Sequence, residues 1–175
     1  AYYIGAYRIK SELEDLSFRY LKPDIYMSLL EKNKKIEEEN KNLLLEMKYK
    51  IENILKDNNI PNEIKVRTKN IYGIYKRLHE GEKLSDIHDL FSLKIMVDEI
   101  DDCYKGLRYV HSLYHPINSK FKDYICNPKT NMYSSLHTTV FGPEGRLIQI
   151  QIRTFDMDKI ASFGLTAYFD INKGD

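Results

Sequence analysis

The chain has 175 residues, enough for one domain with a substantial core, and its 42% hydrophobic and 30% charged composition is ordinary for a globular protein. A formal net charge of +1 excludes the global basic bias of a general nucleic-acid binder, so any charge-driven function must come from local clustering. Two cysteines outside any CxxC pair argue against a disulfide scaffold or a cysteine zinc site and fit a reducing cytoplasm, and no apolar run approaches the roughly 18 residues of a membrane span.

The opening "AYYIGAYRIK" lacks the apolar segment of a secretory leader, and a start at Ala1 rather than Met suggests a piece of something longer. Ile9, Leu13, Leu16 and Leu21, with Phe18 and Tyr20, predict a short amphipathic helix. Pro23 punctuates the chain, and Asp24 is placed to cap a long helix from Ile25 to about Asp57. Its apolar stripe is patchy (Leu29, Leu30, Ile36, Leu43, Leu44, Met47, Ile51, Ile54, Leu55), and its balanced lysines and acids read as a solvated face. "NNIP" at 58–61 ends it. Beyond, strands are predicted at 63–67 and 91–97 and helices at 69–80 and 101–115. "SSLHTTVFG" and "RLIQIQIRT" read as an antiparallel hairpin joined by "GPEG" at 142–145, and a last helix should run from Asp156 to Asn172. Helices interleaved with strands imply a mixed α/β sheet with helices packed on it.

In "LIQIQIRT", Ile148, Ile150 and Ile152 alternate with Gln149, Gln151 and Arg153, so a strand would turn the isoleucines to a core and the two amides and guanidinium elsewhere. "KVRTK" sets Lys65, Arg67 and Lys69 at period two leading into a helix, Lys76 and Arg77 lie about two turns on, and Lys120, Lys122 and Lys129 sit in loops. Converging, these cations make a site for phosphate near a helix start; otherwise each is an ordinary surface cation. Asn127, Lys129, Asn131, Tyr133, Ser135 and His137 crowd a loop entering a strand, which is either a binding loop or a polar hairpin. Tyr133 could stack on a base, Asn131 read a base edge and His137 contact phosphate. Asp89, opening a buried strand beside basic residues, suits Mg²⁺, which takes one or two carboxylates plus substrate phosphates, or else caps a turn. His111 and His115 stand four apart, but no third zinc ligand accompanies them.

The segments "VRTKNIYGIYKRL", "DIHDLFSLKIMV", "DCYKGLRYVHSLYHP", "KFKDYICNPKTNMYSSLHTTVFGPEG" and "IQIQIRT", with "ASFGLTAYF" more weakly, resemble in order the synthetase domain of the RelA/SpoT family, which makes and degrades the alarmone (p)ppGpp. The likeness covers nearly everything from about residue 62. "IKSELEDLSFRYLKPDIY" resembles the link between hydrolase and synthetase domains in the long, two-activity members. The resemblance therefore implies residues 1–22 as hydrolase tail or linker helix and 23–175 as a nucleotidyltransferase-like mixed sheet flanked by helices, cut from a protein with attached hydrolase and regulatory domains. It implies a cytoplasmic bacterial enzyme of the stringent response, a GTP diphosphokinase that transfers pyrophosphate from ATP to the 3′-hydroxyl of GDP or GTP with Mg²⁺. Neither membrane nor nucleic-acid partners are implied. Carried over by position, Arg67, Lys69, Lys76 and Arg77 would bind ATP, and the loop cation Lys120 is counted among the nucleotide-binding residues. Asp89 would hold Mg²⁺. Lys122, Lys129, Asn131, Tyr133 and His137 would form the acceptor site with Tyr133 on guanine, and Gln151 and Arg153 match the family strand.

One position departs sharply. Where the family strand carries a glutamate that serves as metal ligand and base, this chain has Gln149, whose amide cannot accept the proton and brings no charge to Mg²⁺. Met132 replaces the usual Gly before the guanine-stacking Tyr and Ser134 the Gln after it. Gly73 replaces a Ser, Arg77 a Lys, and "TAYF" with Tyr168 and Phe169 stands for "AAHW". Two readings follow: a synthetase domain, or an impaired nucleotide-binding pseudo-synthetase that regulates an attached hydrolase. The motif "KLSD" at 83–86 looks more like that of the two-activity, GDP-favouring members.

Overall fold

The computed structural model describes residues 5–87, 89–164 and 167. Five strands form one sheet in the order β1-β2-β5-β4-β3: β1 (Asn62–Thr68), β2 (Phe91–Val97), β3 (Lys122–Asp123), β4 (Leu136–Phe141) and β5 (Leu147–Thr154). The central pair, β2 and β5, is parallel, and every other pairing is antiparallel. The helices are α1 (Tyr7–Leu21), α2 (Pro23–Asp57), α3 (Ile71–His79), α4 (Ile100–Leu113) and α5 (Phe155–Phe163). A mixed sheet with flanking helices is the architecture expected from the sequence.

Strand alternation assigns the two faces. Ile64, Leu93, Ile95, Ile148, Ile150, Ile152, Leu136 and Val140 are buried together, and α2 and α4 cover them. The opposite face carries the polar residues of β5, with α5 over one end. Thr154 turns the strand into that helix: its hydroxyl accepts from the Met157 N–H at 3.2 Å, and Asp156 and Asp158 complement the positive end of the helix.

Pro23 occupies the first turn of α2 and Asp24 stands just inside it, so Asp24 supports the helix dipole and does not cap it. The patchiness of the α2 stripe has a specific cause: its buried residues are Leu29, Asn33, Asn40, Leu44, Met47, Ile51 and Leu55, so two asparagines stand where apolar residues would complete it. Asn40 Nδ2 donates to the Ile36 carbonyl at 2.6 Å, whereas Asn33 Oδ1 has no hydrogen-bond partner among the described residues. The last helix ends at Phe163 with Gly164 at φ 78°, and the expected continuation to Asn172 lies largely outside the described residues. His111 bonds Thr138 Oγ1 at 2.8 Å while His115 lies beyond the end of α4, so the two histidines do not form a metal pair.

A buried carbonyl oxygen without a donor costs about 1–3 kcal/mol, so Asn33→Leu should raise stability to urea by about 1 kcal/mol. A lower denaturation midpoint would show that the amide has a partner.

Candidate functional site

The register of the sheet lays two rows of side chains across its polar face. Arg67, Ser92, Gln149 and Thr139 are consecutive partners, and so are Lys65, Lys94, Gln151, His137 and Lys122. Next along β5 stands Arg153, 2% exposed. One Arg153 amino group donates to Gln151 Oε1 and to the Tyr133 hydroxyl at 2.9 Å, and the other reaches Asp158 Oδ1 at 3.5 Å. Gln151 in turn donates to Gln149 Oε1 at 2.8 Å. Lys94 also binds Asp158, at 2.8 and 3.0 Å. Asp158 therefore offsets two buried cations, while Arg67 adds a third charge beside them.

The electrostatics follow. Burial, then Arg153, draws the Arg67 guanidinium below its ordinary value, with Tyr133 and Asp158 acting the other way. Burial likewise lowers Lys94, with Asp158 opposing and Arg153 and Arg67 reinforcing. Such a surplus of cations on a half-covered face is the chemistry of an anion site.

Tyr133 closes the group. Its hydroxyl and His137 Nε2 are 2.6 Å apart; since Arg153 donates to that oxygen, the Tyr133 O–H donates to a neutral imidazole. Burial, then Arg153 and Lys129, push His137 down to about 3, with Asp89 pulling the other way. Lys129 Nζ stands 5.0 Å from the Tyr133 ring centre and 4.8 Å from that of Tyr124, and Arg153 lies 5.1 Å from the Tyr133 ring. The loop before Tyr133 is a tight turn: the Met132 N–H donates to the Lys129 carbonyl, the Lys129 N–H to that of Tyr133, and Asn131 Oδ1 accepts from the Tyr133 N–H at 3.3 Å. Met132 sits at φ 63°, the left-handed region that a Gly would adopt without a Cβ penalty.

A second cluster lies beyond the end of β1. Lys69 Nζ binds Asp89 Oδ2 at 2.6 Å, and Arg77 reaches Glu82 at 2.6 Å and Asp89 at 3.8 Å. Its influence on His137 links Asp89 to the first cluster.

Arg67, Lys122, Lys129, Asn131, Tyr133, His137, Gln149, Gln151 and Arg153 thus share one face, with Lys69, Arg77 and Asp89 at its edge. Lys76 does not join them: neighbours on a helix point about 100° apart, and Lys76 stands exposed, 3.9 Å from Glu80. Lys120 is exposed in the 118–120 turn. Tyr133 is not a free ring at the rim but 7% exposed, with the ring of Tyr7 edge-on at 5.6 Å. No group of three or more His, Cys, Asp or Glu side chains that could hold a metal ion occurs among the described residues. Sequence reasoning missed Lys94 and Asp158. Lys94 carried a signal, since Ser92 and Lys94 alternate with Leu93 and Ile95 inside an otherwise apolar strand.

Residues 66–173 match the family model described as the region found in RelA/SpoT proteins, and the chain belongs to that family. Over its whole length it is 38% identical to a guanosine-3′,5′-bis(diphosphate) 3′-pyrophosphohydrolase of Spiroplasma citri, and over 94% of its length 35% identical to the GTP pyrophosphokinase rsh of Brucella ovis. It spans 24% and 22% of those proteins' lengths. The crystal structure of small alarmone synthetase 2 from Bacillus subtilis superimposes with a TM-score of 0.66 at 29% identity, covering 80% of this chain and 82% of that one. Small alarmone synthetase 1 from the same organism, bound to its product pppGpp, shares the fold at 21% identity and a TM-score of 0.60, covering 81% of this chain and 82% of that one.

Two outcomes test this geometry. The His137 imidazole should keep neutral-form NMR shifts from pH 8 to below pH 5. Its folded value lies below the unfolded one, so the stability it contributes is full above about pH 6.5 and falls away towards pH 3. A midpoint near 6.5 would show an exposed ring. Met132→Gly should stabilise the fold by about 0.5–1 kcal/mol in urea denaturation, because a left-handed non-Gly residue costs about 1–2 kcal/mol and glycine's entropy returns part of that.

Proposed function

We propose that this chain is a (p)ppGpp synthetase domain that transfers pyrophosphate from ATP to the 3′-hydroxyl of GDP or GTP. The observation that carries this reading is the cationic face built around Arg153, with an aromatic ring and a neutral imidazole at one end and the Lys69–Asp89 pair at the other. The relatives named GTP pyrophosphokinase and the likeness to small alarmone synthetase 2 support it.

Arg67 and Lys69 draw the ATP phosphates to the open end of the face. Arg153 and Lys94, fixed by Asp158, hold positive charge where negative charge accumulates during transfer. Tyr133 and Lys129 take the guanine side. Phosphoryl-type transfer depends chiefly on positioning and charge stabilisation, which these groups supply without a base. Mg²⁺ would be held by Asp89 and the substrate phosphates, where it would neutralise charge on the phosphate oxygens. Asp89 fits that role as the carboxylate at this edge of the site, though it must share its oxygens with Lys69 and Arg77. Gln149 offers only a neutral oxygen that already accepts from Gln151. Of the residues assigned to the acceptor side, Gln149 takes no proton and His137, pushed down to about 3, is a weak base.

The chain's span of about a quarter of its relatives fits a working place within a longer cytoplasmic protein, next to a (p)ppGpp hydrolase and regulatory domains. Among the described residues no helix is long and apolar enough to cross a membrane.

The missing base sets the test. With labelled ATP, GDP and Mg²⁺, Gln149→Glu should raise ppGpp formation about 10²-fold or more, since general-base help is worth about 10²–10⁴-fold. A folded Gln149→Glu chain that binds both nucleotides and makes no product would contradict the synthetase reading. Rapid synthesis by the unaltered chain would show that the proton has another acceptor.

A further inference from the structure

We propose that α1 is an internal competitor for both nucleotide subsites, a strap that must leave the cleft before substrates enter it. The inference rests on the reading of Tyr133 as guanine platform and of the Lys69 region as the ATP phosphate site.

The first contact is at the acceptor end. Gly5, at φ 73°, packs so closely on Asn131 that a Cβ there would stand 3.3 Å from both its Nδ2 and its carbonyl oxygen. Ala6 is buried, and the Tyr7 ring meets Tyr133 edge-on with centres 5.6 Å apart and planes at 75°. An aromatic ring thus stands against the ring on which guanine would stack.

The second contact is at the donor end. Asp15 lies two turns further along α1, and its carboxylate binds the start of α3: Oδ1 accepts from the Tyr72 N–H at 2.9 Å and Oδ2 from the Ile71 N–H at 3.2 Å. Asn70 Nδ2 also donates to Oδ1, at 3.1 Å. This is the way a helix N-terminus holds a phosphate, and here it lies directly after Lys69 in the chain. The carboxylate therefore takes the place of the anion. One helix supplies a ring to one subsite and a negative group to the other, which is a stand-in for the two substrates together.

Docking is held at Phe18 and Asp15 and leaves much of the apolar stripe of α1 uncovered. α1 keeps Ile9, Leu13, Leu16 and Tyr20 on its outer side, and Leu16 and Tyr20 are 63% and 87% exposed. Phe18, the one large apolar side chain of α1 that is fully buried, packs against Tyr26, Tyr72 and Tyr75 and anchors the C-terminal half of the helix.

Titration calorimetry on the whole chain, with GDP and separately with a non-hydrolysable ATP analogue in Mg²⁺, tests the strap. Tyr7→Ala should tighten GDP about threefold or more and leave the analogue nearly unchanged, because an edge-on ring pair is worth about that factor. Asp15→Ala should do the reverse by a similar factor. In the unaltered chain, saturating GDP should speed hydrogen exchange across the first turn of α1, a readout that does not depend on a variant folding. If GDP binds the unaltered chain, the exchange is unchanged and the folded variants bind no tighter, α1 is scaffold and the proposal fails while the nucleotide reading stands. If neither nucleotide binds any form at millimolar concentration, the nucleotide reading fails and the strap with it.

Discussion

A guanidinium at 2% exposure is the constraint on which the site depends. Burying an unpaired charge costs several kcal/mol, so Arg153 must be met by acceptors, and each acceptor comes from a different element. Gln151 comes from its own strand, Asp158 from the first turn of α5, and the Tyr133 hydroxyl from the loop before β4. Meeting the two amino groups of this cation, whose buried Nε has no hydrogen-bond partner among the described residues, therefore fixes where the helix starts and where the loop closes. It also fixes which way the Tyr133 proton points. The same demand keeps His137 neutral, because two cations and burial outweigh the distant Asp89.

Where a periodic pattern existed, the fold could be read from the sequence. The alternation in "LIQIQIRT" gave both faces of β5, and Thr154 lay where a strand hands over to a helix. The long helix was legible despite its gaps, which are the buried Asn33 and Asn40. The two-residue strand β3 was not, since a period cannot show in two residues. Nor was the burial of Tyr133, because Tyr7 approaches from far away in the sequence, as Asp15 does in capping α3. Lys76 and Arg77 illustrate the limit from the other side: as a basic pair they read alike, but helical geometry sends only Arg77 towards Asp89. Asp158 looked like an ordinary residue of a helix first turn, and only the tertiary pairing with Lys94 and Arg153 reveals its role.

Gln149 belongs to a ladder of amides that runs from Ser92's neighbour on β5 to Arg153. Its oxygen accepts from the Gln151 amide, so the neutral side chain is tied into the ladder. Position 149 thus carries neither charge nor base among these cations. On the proposed reading, binding and catalysis separate in such a site: Arg67, Lys69 and Arg153 would draw phosphates, while help with the acceptor proton would depend on the residue at position 149.

The central claim is that the polar face of the sheet is the nucleotide site and that Arg153 organises it. A crystal structure of the chain with GDP and a non-hydrolysable ATP analogue tests this most directly. The account predicts guanine against the Tyr133 ring, phosphates among Arg67, Lys69 and Lys94, and the Arg153–Tyr133 bond intact. Nucleotide bound on the α2–α4 side of the sheet, with the polar face untouched, would contradict it.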